Sequence, residues 1–118
     1  MSKVTIYHNP ACSNSRNTLG LIRSAGIQPV VIEYLREPPT RERLTELIVA
    51  AGLTAREVLR DKEAVYTQLG LADPNLTEAQ LVDAMVAHPV LINRPIVVTS
   101  RGVRLCRPPE RVLEILPT

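Results

Sequence analysis

The amino-acid sequence predicts an α/β fold built on one four-stranded mixed sheet. Three observations lead to this prediction: a β-α-β pattern at the start of the chain, a run of helices in the middle, and a β-β-α pattern at the end. The chain has 118 residues, of which 45% are hydrophobic and 22% charged, as in an ordinary folded protein. We therefore expect a single domain over residues 1–118, with a helical insertion at approximately 40–89.

The first three elements are expected to form a β-α-β unit. Residues 3–7 predict a strand, and residues 15–25 predict a helix that ends at Gly26. Val30-Val31-Ile32 is a run of β-branched residues, which is typical of a buried strand. Because the connection between the two strands is a helix, they are expected to pair in parallel.

The middle of the chain contains helix signals and no strand signal. Thr40 is expected to cap a helix that ends at Gly52. Capping-box sequences at 54–57 and 77–80 open two further helices. The second of these helices is expected to end at His88-Pro89, because proline disfavours helical geometry in the residue that precedes it.

The last part of the chain predicts a β-hairpin followed by a helix. Residues 95–99 and 103–106 are strand-like runs separated by Ser100-Arg101-Gly102, which is typical of a tight turn. Pro108-Pro109-Glu110 then begins a helix. Its apolar side is expected to consist of Val112, Leu113 and Leu116. The complete order of elements matches the thioredoxin arrangement with its middle helix expanded into the helical insertion.

Charge and cysteine content restrict the possible function classes. The net charge of +2 is too small to indicate nucleic-acid binding, and no apolar run approaches the length of a membrane span. The N-terminus lacks the apolar region of a signal peptide, and two cysteines cannot form a disulfide framework. We therefore expect the protein to be located in the reducing cytoplasm. The two His and two Cys residues lie far apart in the sequence, and we expect no metal site.

Cys12 is the candidate nucleophile. It lies between a predicted strand end and a helix start, where unpaired backbone N–H groups and the helix dipole favour negative charge. Such a position lowers the pKa of a thiol from about 8.5 toward neutrality, and His8 and Arg16 can add positive charge. Considered alone, Cys12 fits a small buried side chain equally well. Cys106 could be its redox partner, but we expect a core residue of the hairpin.

The arginines suggest an anionic ligand. The chain contains twelve Arg and two Lys residues, and arginine binds oxyanions through paired hydrogen bonds, although compositional bias explains most of the twelve equally well. The predicted hairpin brings Arg94 and Arg107 within about one residue of direct cross-strand pairing, where Cβ atoms are roughly 5 Å apart. Either an anion lies between them or both side chains point into solvent. Arg60 could join Arg94 and Arg107 only if the helical insertion folds back toward them.

Three motifs resemble the glutaredoxin-coupled arsenate reductase family. They are Tyr7-His8-Asn9-Pro10-Ala11-Cys12 followed by Ser15-Arg16, Leu91-Ile92-Asn93-Arg94-Pro95-Ile96-Val97-Val98, and Leu105-Cys106-Arg107-Pro108. The likeness covers nearly the whole chain at the spacing that the family uses. It implies a thioredoxin-like fold with a helical insertion, which agrees with the order of elements.

The resemblance also implies a reaction. Cys12 would attack arsenate and form a thiol–arsenate adduct, glutathione would attack that adduct, and glutaredoxin would resolve the mixed disulfide and leave arsenite. No cofactor would be bound, because glutathione acts as a co-substrate. Ser15 stands where a dithiol oxidoreductase has its second cysteine, so an external thiol must resolve the intermediate.

Roles for further residues follow from the same resemblance. In the family, three arginines hold the oxyanion and a histidine helps to keep the cysteine ionised. All four positions carry the matching residue here: Arg60, Arg94, Arg107 and His8. We expect Ser15, Arg16 and Pro95 to support the site, with a cis peptide bond before Pro95.

Two other functions remain open. A regulator of the related Spx type, which contacts RNA polymerase, shares the fold, but such proteins often use a Cys-x-x-Cys switch that Ser15 removes. A glutathione-linked thiol transferase with another substrate is compatible with Cys12, although the full set of arginines argues against it. Stable polymerase binding would favour the first. Thiol transfer that persists without Arg94 and Arg107 would favour the second.

Overall fold

The computed structural model describes residues 3–117. The predicted domain also included three residues that lie outside the described part, namely Met1, Ser2 and Thr118. The chain forms two compact units. The sheet unit runs to Glu37 and resumes at Arg94, and the helical unit covers Pro38–Asn93. The helical insertion expected at approximately 40–89 falls within the helical unit.

The sheet unit contains one four-stranded mixed sheet with the strand order β2-β1-β3-β4. The strands are β1 (Thr5–His8), β2 (Val30–Glu33), β3 (Ile96–Thr99) and β4 (Gly102–Leu105). β1 and β2 are parallel, whereas β3 is antiparallel to both β1 and β4. The predicted α/β fold with a thioredoxin-like mixed sheet is therefore confirmed.

Two helices accompany the sheet. The helix α1 (Ser13–Ser24) follows β1 and is succeeded by Gly26, whose φ of 81° lies in the left-handed region that favours glycine. A 3-10 helix (Pro109–Glu114) follows β4 and packs against α1. The core of this unit consists of Val4, Ile6, Leu19, Ile22, Val97, Cys106, Val112, Ile115 and Leu116.

Two predictions for the sheet unit are wrong. The run Val30-Val31-Ile32 forms a strand but not a buried one: Val30 is 42% exposed, because β2 lies at the edge of the sheet. Leu113 does not lie on the apolar side of the last helix and is 55% exposed, whereas Ile115 is buried. A 3-10 helix has three residues per turn, so Val112 and Ile115 share a face and Leu113 lies outside it.

The helical unit contains four α-helices. They are α2 (Arg41–Ala50), α3 (Ala55–Val58), α4 (Ala64–Gln68) and α5 (Glu78–Ala87). The side chains of three threonines accept backbone hydrogen bonds at helix starts, with capping boxes at the second and third, as the sequence predicts: Thr40, Thr54 and Thr77. A short 3-10 helix (Pro89–Leu91) follows α5. Within residues 3–117, no α-helix has both the length and the apolar character needed to cross a membrane.

Candidate active site

Cys12 occupies the N-cap position of α1, directly after the loop that follows β1. Its pKa is lowered from the ordinary value of a thiol. Burial of the thiol acts in the opposite direction. It is outweighed by the backbone N–H groups of Ser15 and Asn14, the guanidinium of Arg107 and the charge of Arg94. The thiolate is the reactive form of cysteine, and the lowered pKa favours this form in the partly exposed side chain of Cys12.

Arg94 and Arg107 lie together at one end of the β3–β4 hairpin. The strand register places Ile96 opposite Leu105. The same register, extended by two residues beyond the strands, places Arg94 opposite Arg107. Nη1 of Arg107 donates a hydrogen bond to the C=O of Arg94 at 2.9 Å. The predicted proximity of the two arginines is confirmed, and both of them favour the thiolate of Cys12.

Pro95 and Cys106 belong to the same hairpin. The Arg94–Pro95 peptide bond is cis, as predicted, and the Arg107–Pro108 bond is also cis, which the sequence analysis did not predict. The C=O of Pro95 accepts a hydrogen bond from the N–H of Cys106 at 2.9 Å. Cys106 is fully buried in the apolar core, and burial raises its pKa to about 12. Cys106 is therefore the core residue that we expected, and its thiol is protonated at neutral pH.

His8 and Ser15 form a buried pair next to the loop that leads to Cys12. Nδ1 of His8 lies 2.7 Å from Oγ of Ser15, and this oxygen accepts a hydrogen bond from the N–H of Asn9 at 3.0 Å. Burial lowers the pKa of His8, although the carboxylate of Glu33 opposes the shift. The imidazole is therefore mostly neutral at pH 7. The lowered pKa does not favour the positive charge expected of His8, and the imidazole contacts the loop through Ser15.

Asn9 organises the loop that leads to Cys12. Its buried side-chain Oδ1 accepts from the N–H of Ala11 at 2.9 Å, and its C=O accepts from the N–H of Cys12 at 3.0 Å. Arg16 adds a further bond, because its Nη1 donates to the C=O of Pro10 at 2.9 Å. Asn9 was not predicted to have this role. The signal was present, since asparagine often accepts a bond from the backbone N–H two residues later.

Arg60 belongs to the helical unit. Its Nε donates to Oε2 of Glu63 at 2.9 Å, and its Nη1 donates to Oδ1 of Asn93 at 3.3 Å. Its backbone N–H donates to the C=O of Leu91 at 2.7 Å. Neither Glu63 nor Asn93 was predicted as a partner of this arginine. The role of Arg60 as a ligand of the same oxyanion as Arg94 stays a prediction.

The fold and the site together define a class of protein. It has a thioredoxin-like fold in which one low-pKa thiol at a helix start lies close to two arginines. A thiolate is suited to nucleophilic attack, and guanidinium groups are suited to binding oxyanions. Among residues 3–117, no group of three or more His, Cys, Asp or Glu side chains is arranged to hold a metal ion.

Comparison with known proteins identifies the family. A model of the ArsC family matches residues 7–115, and the chain belongs to this family. An arsenate reductase of Rhizobium meliloti (strain 1021) is 59% identical over 114 residues, which are 97% of this chain and 81% of the relative. An arsenate reductase of Escherichia coli (strain K12) is 56% identical over 117 residues, or 99% of this chain and 83% of the relative.

A solved structure gives the same result. The arsenate reductase from Vibrio cholerae superimposes with a TM-score of 0.93 at 50% sequence identity. The match covers 97% of this chain and 98% of that chain. The resemblance inferred from the three sequence motifs is therefore confirmed over nearly the whole chain, for both the sequence and the fold.

Proposed function

We propose that this chain reduces arsenate to arsenite and that Cys12 is its nucleophile. The observation that carries the proposal is a single low-pKa thiol close to Arg94 and Arg107, in a chain with relatives that are named arsenate reductase. Arsenate is a tetrahedral oxyanion. Guanidinium groups offset its charge, which otherwise repels an approaching thiolate.

The first step joins the sulfur of Cys12 to arsenic. The thiolate attacks As(V), an S–As bond forms, and one arsenate oxygen leaves as water after it is protonated. Arsenic keeps its oxidation state in this step. Arg94 and Arg107 stabilise the negative charge on the remaining oxygens, because charge-assisted hydrogen bonds are about twice as strong as neutral ones.

The second step uses glutathione as the reductant. Its thiolate attacks the sulfur of Cys12, an S–S bond forms, and the S–As bond breaks with its electron pair left on arsenic. Arsenic becomes As(III) and leaves as arsenite, while two thiols are oxidised to one mixed disulfide. Glutaredoxin then removes glutathione from Cys12 by thiol–disulfide exchange and restores the thiol.

An external thiol is required by the cysteines of the chain. The sequence contains two cysteines, and Cys106 is fully buried with its pKa raised to about 12. Ser15 occupies the position at which a Cys-x-x-Cys motif has its second thiol. This arrangement supports glutathione and glutaredoxin as partners, and a reducing cytoplasm as the compartment that supplies them.

Arg60 and His8 complete the proposed site. We assign Arg60 to the same oxyanion as Arg94 and Arg107. The support is that Asn93, which accepts a hydrogen bond from Arg60, is followed directly by Arg94 in the sequence. His8 acts as a neutral group that holds Ser15, whose backbone N–H lowers the pKa of Cys12.

Arsenite formation by the purified protein tests the proposal. With arsenate, glutathione and glutaredoxin present, we expect steady arsenite production by the wild type and by the Cys106→Ala control. The Cys12→Ser variant should give no arsenite above the background without enzyme, because its hydroxyl is not ionised near neutral pH. Equal arsenite production by the wild type and Cys12→Ser would show that the proposed nucleophile is wrong.

A further inference from the structure

We propose that Glu63 is a positioning residue, which holds Arg60 in place and lowers the affinity of the site for oxyanions. The inference rests on the proposed function, in which Arg60 binds the substrate. Glu63 would therefore set the arsenate concentration at which the enzyme becomes saturated, without taking part in the chemistry at Cys12.

The hydrogen bonds of Arg60 support a holding role. The guanidinium donates through Nε to Glu63 at 2.9 Å and through Nη1 to Asn93 at 3.3 Å. In the part of the chain that the structure describes, its third nitrogen, Nη2, makes no hydrogen bond to the protein. A planar guanidinium held on two of its nitrogens presents the third in a fixed direction, so less conformational entropy is lost when an anion binds.

The backbone around Arg60 adds to this rigidity. Leu59 and Ile92 form an isolated antiparallel bridge. The N–H of Arg60 donates to Leu91, and the N–H of Asn93 donates to the C=O of Val58 at 2.9 Å. The side-chain bond from Arg60 to Asn93 therefore joins two segments that are also held together by their backbones.

A second ion pair in the same unit shows what is particular about Glu63. Arg43 and Glu46 have the same three-residue spacing, with an N–O distance of 3.4 Å, but their side chains are 43% and 67% exposed. The side chains of Arg60 and Glu63 are only 20% and 24% exposed. Solvent screens an exposed pair strongly, so the charge of Glu63 acts on its surroundings more than the charge of Glu46 does.

The charge of Glu63 has a direct consequence for anion binding. The carboxylate already offsets part of the charge of Arg60, and it repels any anion that approaches the same guanidinium. Removing this negative charge while keeping an oxygen acceptor should therefore strengthen oxyanion binding. The effect should act on binding and not on bond making, because Glu63 is not among the groups that shift the pKa of the Cys12 thiol.

The variant Glu63→Gln tests this inference, because its amide oxygen can still accept from Nε of Arg60. We expect the KM for arsenate to fall roughly three- to tenfold, with kcat within about twofold of the wild type. Phosphate serves as a second probe, and its inhibition constant should fall by a similar factor. The matched control is Glu46→Gln, which should leave both constants unchanged.

Two results separate this inference from the proposed function. If the wild type forms arsenite but Glu63→Gln, folded as judged by circular dichroism, has the same or a higher KM, then Glu63 does not temper oxyanion binding and the inference is wrong. If the wild type forms no arsenite, the proposed function fails instead. Phosphate protection of Cys12 from alkylation, compared between the wild type and Glu63→Gln, then decides the role of Glu63 alone.

Discussion

The reactivity of the Cys12 thiol is a property of single residues around it. Burial raises the pKa of this thiol. The N–H groups of Ser15 and Asn14 and the two nearby arginines lower it by a larger amount, so the net shift is downward. A lowered pKa means that the thiolate persists to lower pH than in a free cysteine. We therefore expect the iodoacetamide labelling of Cys12 to have a midpoint clearly below about 8.5.

Two variants sharpen this prediction. Arg107→Ala should move the labelling midpoint upward, because it removes a group that favours the thiolate. Arg111→Ala, which removes an exposed arginine four residues later, is the matched control and should leave the midpoint unchanged. Labelling of Cys106 in the folded protein should be negligible, since this thiol is buried. A wild-type midpoint at or above the free-thiol value would contradict the account of Cys12.

Part of this site could be predicted residue by residue. The position of Cys12 at a helix start followed from the local pattern alone, and so did the pairing of Arg94 with Arg107. The neutral state of His8 could not be predicted, because it depends on burial that short-range patterns do not report. Glu63 was missed for a similar reason, since an acidic residue three positions after an arginine is common on exposed surfaces.

At the scale of elements, helix starts and the hairpin were the most predictable features. Each threonine cap and the Ser100-Arg101 turn depends on residues close together in the sequence. The edge position of β2 was not predictable, because a run of β-branched residues looks the same in an edge strand and in a central one. The 3-10 geometry of the last helix was missed because six residues are too few to separate periods of 3.0 and 3.6.

The edge position of β2 leads to a prediction about stability. Val31 on β2 is exposed, whereas Val97 on the central strand β3 is fully buried. Replacing valine by threonine puts a hydroxyl in nearly the same volume, which is costly only where the site is dry. We expect Val97→Thr to lower the free energy of unfolding by about 1–3 kcal/mol and Val31→Thr by less than about 0.5 kcal/mol.

Urea unfolding of the two variants and the wild type measures this difference. Each variant acts as the control for the other, because the chemical change is the same. Equal losses at the two positions would show that β2 is covered in solution and is not a free edge strand.

At the scale of the whole molecule, the site depends on long-range pairing. Cys12 and the Arg94–Arg107 hairpin are far apart in the sequence, and β3 pairs with β1 to bring them to one sheet. The order of elements predicted both parts and the four-stranded sheet, but not that β3 pairs with β1. The proposed role of Arg60 came from the resemblance to a family, because no local pattern links the end of α3 to Asn93.

The most direct test of the central claim is the mass of the protein after incubation with arsenate and glutathione in the absence of glutaredoxin. We expect glutathione to become attached to Cys12, as located by peptide mapping, and only when arsenate is present. The reason is that arsenate activates the sulfur of Cys12 for attack, and glutaredoxin is absent and cannot remove the product. No modification of Cys12, or equal modification without arsenate, would contradict the account.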